Sequence, residues 1–339
     1  MSHDLPVRDA LRRWIDGSSL GRDEVEQLFG RIMDGQLTEV EKSAVLVALA
    51  VRGESPEEIV GAARAMRQRV IPVVHRRPNV VDTCGTGGDA RGTFNISTAA
   101  ALVAAAGGAP VAKHGNRSVS SRSGSADVLE ALGVPLDLEM SRLAPCLEKV
   151  GIVFLFAPRH HPAMRQVMPV RRELGVRTIF NILGPLTNPA GATRQLLGVF
   201  SPHLVEPLAR VLAELGSEHA LVVHGNDGLD ELSTTGPTQV AEVRNGELRQ
   251  FRLAPGEVGL TEVPLSALAG GEPEENARRL EAVLAGEPGP LAQVTALNAG
   301  AALYVAGLAS TLRQGVEAAR AVLASGEAHG TLDRLRSFR

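Results

Sequence analysis

The first seventy or so residues carry apolar side chains at the spacing of α-helices. In one predicted helix the apolar positions recur every three or four residues, at Val25, Leu28, Phe29 and Ile32. Thr38 and Glu41 have the spacing of a capping box, and Ser55 followed by Pro56 and Glu58 is typical of a helix start. This part of the chain is predicted to form a small all-helical unit.

After Pro72 the pattern changes to short apolar runs that alternate with alanine-rich segments. The runs predicted as strands cover residues 80–82, 110–112, 152–156 and 220–223, and the predicted helices cover residues 97–106 and 125–132. This alternation is typical of a largely parallel sheet covered on both faces. Ligands of such sheets bind beyond the carboxyl ends of the strands, so the segments after the predicted strands are the candidate binding loops.

The last third of the chain adds two features. Asn245-Gly246 lies between two segments of alternating polarity, which predicts a hairpin and a small antiparallel flank. From Glu274 onward the pattern is helical again, and residues 291–308 are apolar enough to be buried. The predicted fold class is α/β, with a small all-helical domain and a larger α/β domain that has a mainly parallel central sheet.

Composition narrows the class of partner. With 44% hydrophobic residues, a chain of 339 residues can bury a large core, and its net charge of −3 supplies no field for nucleic acid. The two cysteines fit neither a disulfide framework nor a zinc site, which favours a reducing, cytoplasmic location. The sequence shows no signal-peptide pattern and no apolar stretch long enough to span a bilayer. Small molecules are the expected partners, rather than nucleic acid or a membrane.

The first candidate loop follows the predicted strand at residues 80–82. It reads Gly85-Thr86-Gly87-Gly88-Asp89, and its glycines leave backbone N–H groups open to a phosphate, although an ordinary glycine-rich turn reads the same way. The polar segment 93–98 then precedes an alanine-rich helix whose first N–H groups could share the anion. Gly85-x-Gly87-x-x-Ala90 fits a dinucleotide fingerprint in form, but no helix starts there, and a Walker pattern is absent.

The second candidate loop follows the next predicted strand. Residues 113–125 contain Lys113, two arginines and five serines, a density of donors that suits phosphate oxygens, although such loops are often merely mobile. Lys113 is one of only three lysines beside 32 arginines. The choice of a compact ammonium at this position indicates a specific role.

Six sequence blocks in order and register carry a resemblance that covers essentially the whole chain. They are Gly85–Asp89, Thr93–Thr98, Lys113–Arg117, Val170–Gly175, Phe180–Pro189 and Asp227–Ser233. The chain resembles the anthranilate phosphoribosyltransferase family of the nucleoside phosphorylase/phosphoribosyltransferase-type superfamily. The resemblance implies a helical domain of residues 1–75 completed by about 165–190, and a domain of residues 76–164 and 191–339 that binds phosphoribosyl pyrophosphate. It also implies a homodimer formed through the helical domain.

The same resemblance implies the site residues. Those expected to bind phosphoribosyl pyrophosphate are Gly85, Gly88, Asp89, Thr93, Asn95, Ile96, Ser97, Thr98, Lys113, His114, Gly115, Asn116, Arg117, Ser118, Val119, Ser120, Ser121 and Ser125. Those expected to bind anthranilate are Gly85, Asn116 and Arg171, and those expected to bind Mg²⁺ are Ser97, Asp230 and Glu231. Adjacent carboxylates suit that hard cation, and a guanidinium can hold the carboxylate of anthranilate through two parallel hydrogen bonds.

The reaction implied is transfer of the 5-phosphoribosyl group from phosphoribosyl pyrophosphate to the amine of anthranilate, in L-tryptophan biosynthesis. No side chain stands out as a general base, because an aryl amine keeps its lone pair at neutral pH. His160 and His161 are expected to be structural or to line the substrate channel, and Cys84 to be a packed thiol. Two alternatives remain open here: a pyrimidine nucleoside phosphorylase-like enzyme, and a non-catalytic relative that binds nucleic acid.

Overall fold

The computed structural model describes residues 5–89, 91–118 and 122–339. Three residues predicted to bind phosphoribosyl pyrophosphate, Val119, Ser120 and Ser121, lie outside the described residues, as does Ala90.

The chain starts with four helices, as the apolar spacing predicts. They are α1 (Val7–Ile15), α2 (Arg22–Met33), α3 (Glu39–Arg52) and α4 (Pro56–Arg67). The predicted capping box at α3 is present, because Thr38 Oγ1 accepts from the N–H of Glu41 and Glu41 Oε2 accepts from the N–H of Thr38. Ser55 and Glu58 cap α4 in the same reciprocal way.

A seven-stranded sheet follows, in the order β3-β2-β1-β4-β5-β6-β7. Its strands are β1 (Val81–Gly85), β2 (Val111–Gly115), β3 (Ile152–Phe156), β4 (Arg194–Gly198), β5 (His219–Gly225), β6 (Thr238–Arg244) and β7 (Glu247–Leu253). The first five run parallel, and β6 and β7 form the predicted antiparallel flank around Asn245-Gly246, where both residues have positive φ. The predicted fold class is confirmed, although β4 was not among the predicted strands.

Eleven further helices of the described residues cover the sheet and extend the helical unit. They are α5 (Ile96–Ala106), α6 (Ser125–Ala131), α7 (Met140–Val150), α8 (Ala157–His160), α9 (Met168–Leu174), α10 (Phe180–Leu183), α11 (Val205–Glu214), α12 (Pro273–Leu284), α13 (Pro290–Val305), α14 (Leu312–Ser325) and α15 (Glu327–Ser337). Most of the apolar run at residues 291–308 falls on α13 and is buried as predicted from Val294 to Val305, but Leu308 lies beyond the helix and is 54% exposed. No helix in the described ranges is long and apolar enough to cross a membrane.

Residues 165–190, here called the excursion segment, leave the sheet between β3 and β4 and pack on the first helices. The Lys42 ammonium donates to the carbonyl of Gln166 at 2.8 Å, and the rings of Phe29 and Phe180 lie 5.8 Å apart. Arg67 at the end of α4 donates to the carbonyl of Leu186 at 2.8 Å. The excursion segment, which contains α9 and α10, is thus held against the helical unit.

The buried apolar residues of the described chain form two clusters. One lies between the sheet and the helices α5, α13 and α15, and it includes the fully buried Leu102 and Leu155. The other joins the first four helices, the excursion segment and α11 to the opposite face of the sheet. Burial on both faces explains why the parallel strands read as continuous apolar runs.

Candidate functional site

The candidate site lies at the carboxyl ends of the parallel strands, where the order of the strands reverses. The chain proceeds from β1 outward to β2 and β3, and then returns to β4 on the other side of β1. Such a reversal leaves a crevice above the carboxyl end of the central strand. Residues 85–89, here called the glycine loop, follow β1 at this point, and Gly85 pairs with Gly198 at the end of β4.

Residues 226–235 follow β5 and cross over β4 to reach the glycine loop; they are called the acidic loop. The crossing is possible because Gly198 has no side chain: a Cβ there would lie 1.5 Å from the carbonyl oxygen of Asp230. A Cβ on Gly85 would likewise lie 2.4 Å from Asp230 Oδ2. The Asp230 carboxylate accepts a hydrogen bond of 2.9 Å from the N–H of Gly87. Two paired strand-end glycines therefore place the acidic loop directly on the glycine loop.

Glu231 is held against the start of α5. Its Oε1 accepts from the N–H of Ser97 at 3.1 Å. The buried Lys113 ammonium donates to Ser97 Oγ at 3.3 Å and to the carbonyl of Thr83 at 2.5 Å. The structure thus brings together Ser97, Lys113, Asp230 and Glu231, which come from separate parts of the sequence.

The pKa values of the charged side chains in this cluster are shifted away from their usual values. Burial, and then the neighbouring charge of Asp89, raise the pKa of Asp230, while burial and the charge of Asp230 raise the pKa of Glu231. Burial also lowers the pKa of Lys113. Two carboxylates with raised pKa values form an acceptor for a cation, and Mg²⁺ is commonly held by one or two carboxylates together with substrate phosphates. Among the described residues, no three His, Cys, Asp or Glu side chains form a complete metal site.

The segment between the glycine loop and α5 is fixed by a residue that sequence reasoning missed. The Asn95 amide donates to the carbonyl of Ser123 at 3.1 Å and accepts from Asn276 Nδ2 at 2.9 Å. Asn276 lies on α12 and accepts from the N–H of Gly271 at 2.8 Å. Thr93 pairs with Ala269 in an isolated bridge. Asn276 is remote in sequence and has no motif around it, so only the fold shows its role.

The remaining predicted site residues of the glycine loop and of the start of α5 differ in conformation and burial. Gly88 has a positive φ of 78°, and Asp89 Oδ1 accepts from the N–H of Arg91 at 3.2 Å. Ile96 and Thr98 are buried in the first turn of α5, and Thr98 Oγ1 has no hydrogen-bond partner among the described residues. Their N–H groups donate within the segment, to the carbonyls of Phe94 and Asn95.

The loop of residues 113–125 does not present all of its predicted donors to the site. The Arg117 guanidinium pairs with Asp127 at 3.1 Å and with Glu130 at 2.7 Å, both on α6, and these contacts raise its pKa. Asp127 also accepts from the N–H of Ser118 and caps α6 through the N–H of Gly124. Arg117 therefore anchors the loop to α6.

The two ends of this loop, at residues 115–116 and at residue 125, lie close to each other. Asn116 is exposed, and its carbonyl accepts from Ser125 Oγ at 3.3 Å. A Cβ on Gly115, which ends β2, would lie 2.3 Å from Ser125 Oγ, so these three residues pack closely. The contact closes the loop at its two ends.

His114 is turned away from the glycine loop. Its Nε2 lies 3.2 Å from His161 Nε2, and both rings are buried. Burial, followed by the charge of His161, lowers the pKa of His114 to about 3, and burial lowers the pKa of His161 to about 4. Both histidines are neutral at pH 7. His160 is also buried, with Nδ1 at 2.9 Å from the carbonyl of Ile71.

A buried acid supports the base of the site. Asp82 accepts from the N–H of His114 at 3.1 Å and from the Asn188 amide at 2.7 Å, which also donates to the carbonyl of Ala112. Burial raises the pKa of Asp82 to about 6. The neighbouring Cys84 is a packed thiol as expected, since it accepts from Gln195 and burial raises its pKa.

Arg171 and Arg172 are neighbours on α9 but differ in burial. Arg171 is half-buried on α9, with Nη2 at 3.5 Å from Asn181 Oδ1 and its guanidinium 5.7 Å from the ring of Phe180. Burial lowers its pKa, and no carboxylate among the described residues pairs with it. Arg172 is exposed. Arg171 is therefore the half-buried arginine of the two, and no described carboxylate uses its donors.

A cavity of about 320 Å³ lies at the opposite side of the sheet, beside the amino ends of β4 and β5. It is lined by the segments that connect the helical unit to the sheet, and it contains none of the predicted site residues. Arg67, a charged side chain of this lining, donates to the carbonyls of Leu186 and Leu215. Through these contacts Arg67 holds the end of α4 against the excursion segment and the end of α11.

Two family models match the chain. One is described as glycosyl transferase family, helical bundle domain, and matches residues 8–70; the other is described as glycosyl transferase family, a/b domain, and matches residues 77–329. Together with the fold and the site at the carboxyl ends of the strands, these matches define a glycosyl transferase built from a helical bundle and an α/β domain.

Individual relatives narrow this class. An anthranilate phosphoribosyltransferase of Symbiobacterium thermophilum is 54% identical over 332 residues, which cover 98% of this chain and 97% of the relative. The crystal structure of anthranilate phosphoribosyltransferase from Thermus thermophilus superposes with a TM-score of 0.92 at 52% identity, covering 97% of this chain and 99% of that one. The enzyme of Saccharomyces cerevisiae, solved with phosphoribosyl pyrophosphate and Mg, gives 0.88 at 30% identity, covering 97% and 96%.

The chain belongs to the anthranilate phosphoribosyltransferase family. The predicted family and enzyme class are confirmed, in preference to the nucleoside phosphorylase and the nucleic-acid-binding alternatives.

Proposed function

We propose that this chain transfers the 5-phosphoribosyl group of phosphoribosyl pyrophosphate to the amine of anthranilate, giving N-(5-phosphoribosyl)anthranilate and pyrophosphate. This is the reaction of its family in L-tryptophan biosynthesis. The observation that carries the proposal is the junction of the acidic loop with the glycine loop. There Asp230 accepts from Gly87, and Glu231 accepts from Ser97 at the start of α5.

The phosphate side of the site is built from backbone donors and one buried cation. The glycine loop and the start of α5 lie together at the crevice, where the N–H groups of Gly87 and Ser97 donate to Asp230 and Glu231, and a helix N-terminus favours an anion. Lys113 is held beneath them by Thr83 and Ser97, so its ammonium approaches a bound phosphate without needing to reorganise. These residues bind phosphoribosyl pyrophosphate and fix the direction in which pyrophosphate leaves.

Asp230 and Glu231 fit a divalent cation, and we propose Mg²⁺. Burial raises both pKa values, as do the charges of neighbouring carboxylates, and Lys113 offsets only part of this for Glu231. When bound, Mg²⁺ neutralises charge that develops on the leaving pyrophosphate. Ser97 adds an oxygen beside Glu231, and the relative solved with phosphoribosyl pyrophosphate and Mg supports this choice of cation.

The acceptor side is the crevice between the excursion segment and β2. The Arg171 guanidinium, unpaired with any described carboxylate, holds the carboxylate of anthranilate and so turns the amine toward the ribose. His114 and His161 are neutral and apolar in effect, which suits an aromatic ring. Neither serves as an obligatory base, because the aryl amine attacks through its own lone pair and afterwards loses its proton to the departing pyrophosphate. Positioning supplies most of the acceleration.

The decisive experiment follows the loss of anthranilate fluorescence when purified protein is mixed with phosphoribosyl pyrophosphate and Mg²⁺. Wild type consumes anthranilate only when Mg²⁺ is present. Because a charge-assisted pair is worth roughly 1.5–3 kcal/mol, Arg171→Ala lowers kcat/KM for anthranilate by about 10- to 100-fold. Arg172→Ala, the matched control on α9, leaves kcat/KM unchanged. No consumption by folded wild type at any substrate concentration would sink the proposal.

Three further assignments accompany this function. We infer a cytoplasmic location, which the two free and buried cysteines support. We retain the division into residues 1–75 with about 165–190, and residues 76–164 with 191–339, which the contacts of Lys42 and Phe180 support.

We also propose a homodimer formed through the helical domain. The support is an apolar stripe on α3, where Val40 and Val51 are 79% and 83% exposed and Val47 lies between them at the same helical face. Ile15, at the end of the neighbouring α1, is 79% exposed. A second copy of the chain would cover this surface.

A further inference from the structure

Arg177 joins the excursion segment to the glycine loop, although no motif pointed to it. It lies in the short connection between α9, which carries Arg171, and α10. The connection is anchored on one side of Arg177, because Ile179 is fully buried and the N–H of Thr178 donates to Asn181 Oδ1 at 3.0 Å. The side chain of Arg177 itself is exposed.

The guanidinium makes two contacts on the far side of the crevice. Nη2 donates to the carbonyl of Gly88, and the guanidinium carbon lies 4.3 Å from the centroid of the Phe200 ring. Gly88 admits this approach because a Cβ there would lie 3.0 Å from Arg177 Nη2. Phe200 is fixed in turn, since its N–H donates to Thr86 Oγ1 at 3.1 Å.

Both partners of Arg177 are uncharged. A carbonyl and an aromatic face orient a guanidinium without neutralising it, and the structure shows no ion pair of Arg177 among the described residues. A full positive charge therefore stands beside Gly88, in the loop proposed to receive the phosphates. Because the contact is exposed, it contributes little to folding.

Arg177 lies close in the sequence to the proposed acceptor arginine. Arg177 is six residues after Arg171 on the same excursion segment, while Gly88 and Phe200 follow β1 and β4 of the sheet. A change in position of the glycine loop is therefore passed directly to the segment that carries the acceptor arginine. Such coupling is a property of positioning, since the contacts of Arg177 are with the carbonyl of Gly88 and the ring of Phe200.

We propose that Arg177 is a positioning residue that couples the phosphate loop to the acceptor pocket through Gly88 and Phe200, an inference that rests on the proposed function. Its guanidinium holds the excursion segment over the glycine loop, so that binding of phosphoribosyl pyrophosphate and orientation of anthranilate support each other.

The test compares Arg177→Ala, Arg177→Lys and Phe200→Leu with wild type, by steady-state kinetics in both substrates and by calorimetric titration with phosphoribosyl pyrophosphate and Mg²⁺. Arg177→Ala raises KM for phosphoribosyl pyrophosphate and lowers kcat/KM for anthranilate, each by about tenfold, because the loop loses an uncompensated charge and its tie. Arg177→Lys recovers part of the affinity for phosphoribosyl pyrophosphate, since the charge remains. The melting temperatures stay within about 2 °C of wild type.

Two outcomes bear on the mechanism of coupling. The double variant Arg177→Ala/Phe200→Leu loses no more than Arg177→Ala alone within about twofold, because both changes remove one contact. Fully additive losses, or Arg177→Ala kinetics equal to those of the exposed control Arg172→Ala, would overturn the inference. Wild type is assayed first: if it forms no product the proposed function fails, whereas an active wild type with an unaffected Arg177→Ala removes only the coupling role.

Discussion

At the scale of single residues, the site is governed by groups that are buried without their natural partners. Asp230 and Glu231 are buried beside each other and accept from the N–H groups of Gly87 and Ser97, and Arg171 is half-buried with no carboxylate partner among the described residues. Each such group costs free energy in the empty protein and recovers it when a ligand of opposite charge binds. The electrostatic cost is therefore concentrated where we propose that substrates and the cation bind.

This cost predicts a pH dependence of stability. Burial raises the pKa of Asp230 to about 7 and that of Glu231 to about 8, above their values in the unfolded chain. The folded state therefore binds more protons than the unfolded state at intermediate pH, and stability falls as pH rises from about 5 through 8. In differential scanning fluorimetry without Mg²⁺, the melting temperature falls by roughly 3–6 °C over this range.

Matched measurements isolate the two carboxylates. Addition of Mg²⁺ raises the melting temperature more at pH 8 than at pH 6, because the cation competes with protons for the same oxygens. Asp230→Asn flattens the pH dependence, and Asp227→Asn, in the same loop, does not flatten it. A wild-type profile without slope, or one whose slope survives in Asp230→Asn, would contradict this account.

At the scale of elements, loops that are far apart in sequence brace one another. The glycine loop contacts the acidic loop across β4, and the segment before α5 is held by Asn276 on α12. Neither contact depends on a long helix or a large apolar surface. Glycines at strand ends and single side-chain amides are enough, because the strands already bring the loops within hydrogen-bond distance.

We expect Asn276→Asp to weaken the phosphate side of the site selectively. The carboxylate still accepts from the N–H of Gly271, but it cannot donate to Asn95 Oδ1 and repels it instead. In steady-state kinetics, KM for phosphoribosyl pyrophosphate rises by about tenfold while KM for anthranilate stays within about twofold. Glu274→Gln, an exposed neighbour on α12, is the control. A parallel rise in both KM values would indicate general loosening instead of a brace.

At the scale of the whole molecule, the helical unit and the sheet are joined by the excursion segment and by α11. The excursion segment carries Arg171 and Arg177 while it packs on the first helices through Gln166 and Phe180. The proposed acceptor side of the site is therefore built on the part that packs against the helical unit, and the proposed phosphate side is built on the sheet.

Glutamate substitutions in the apolar stripe of α3 test the proposed dimer. Val47→Glu combined with Val51→Glu places two carboxylates in the apolar stripe and is expected to give a monomer of about 35.7 kDa in sedimentation velocity, where wild type sediments as a dimer. Val74→Glu, at a residue 83% exposed outside the stripe, leaves the association state unchanged. Wild type that sediments as a monomer at all concentrations would remove the homodimer.

Most of the elements followed from the local pattern of the sequence. The helix caps at Thr38 and Ser55 and the strand at residues 152–156 depend on neighbouring residues alone, so they could be predicted and are confirmed. The strand β4 was missed because Arg194 and Gln195 hide its apolar residues. Its burial comes from pairing with β1 and β5, which a local pattern does not express.

The sequence by itself determined the family, the order of the elements and which loops carry donors, because these follow from residue type and spacing. Only the tertiary structure decided which donors face the crevice: it turns Arg117 to α6, sets Arg171 apart from Arg172 and brings in Asn276 and Arg177. The reason is that hydrogen bonding and desolvation act over a few ångströms. Residues that are far apart in the sequence come that close only after the sheet has formed.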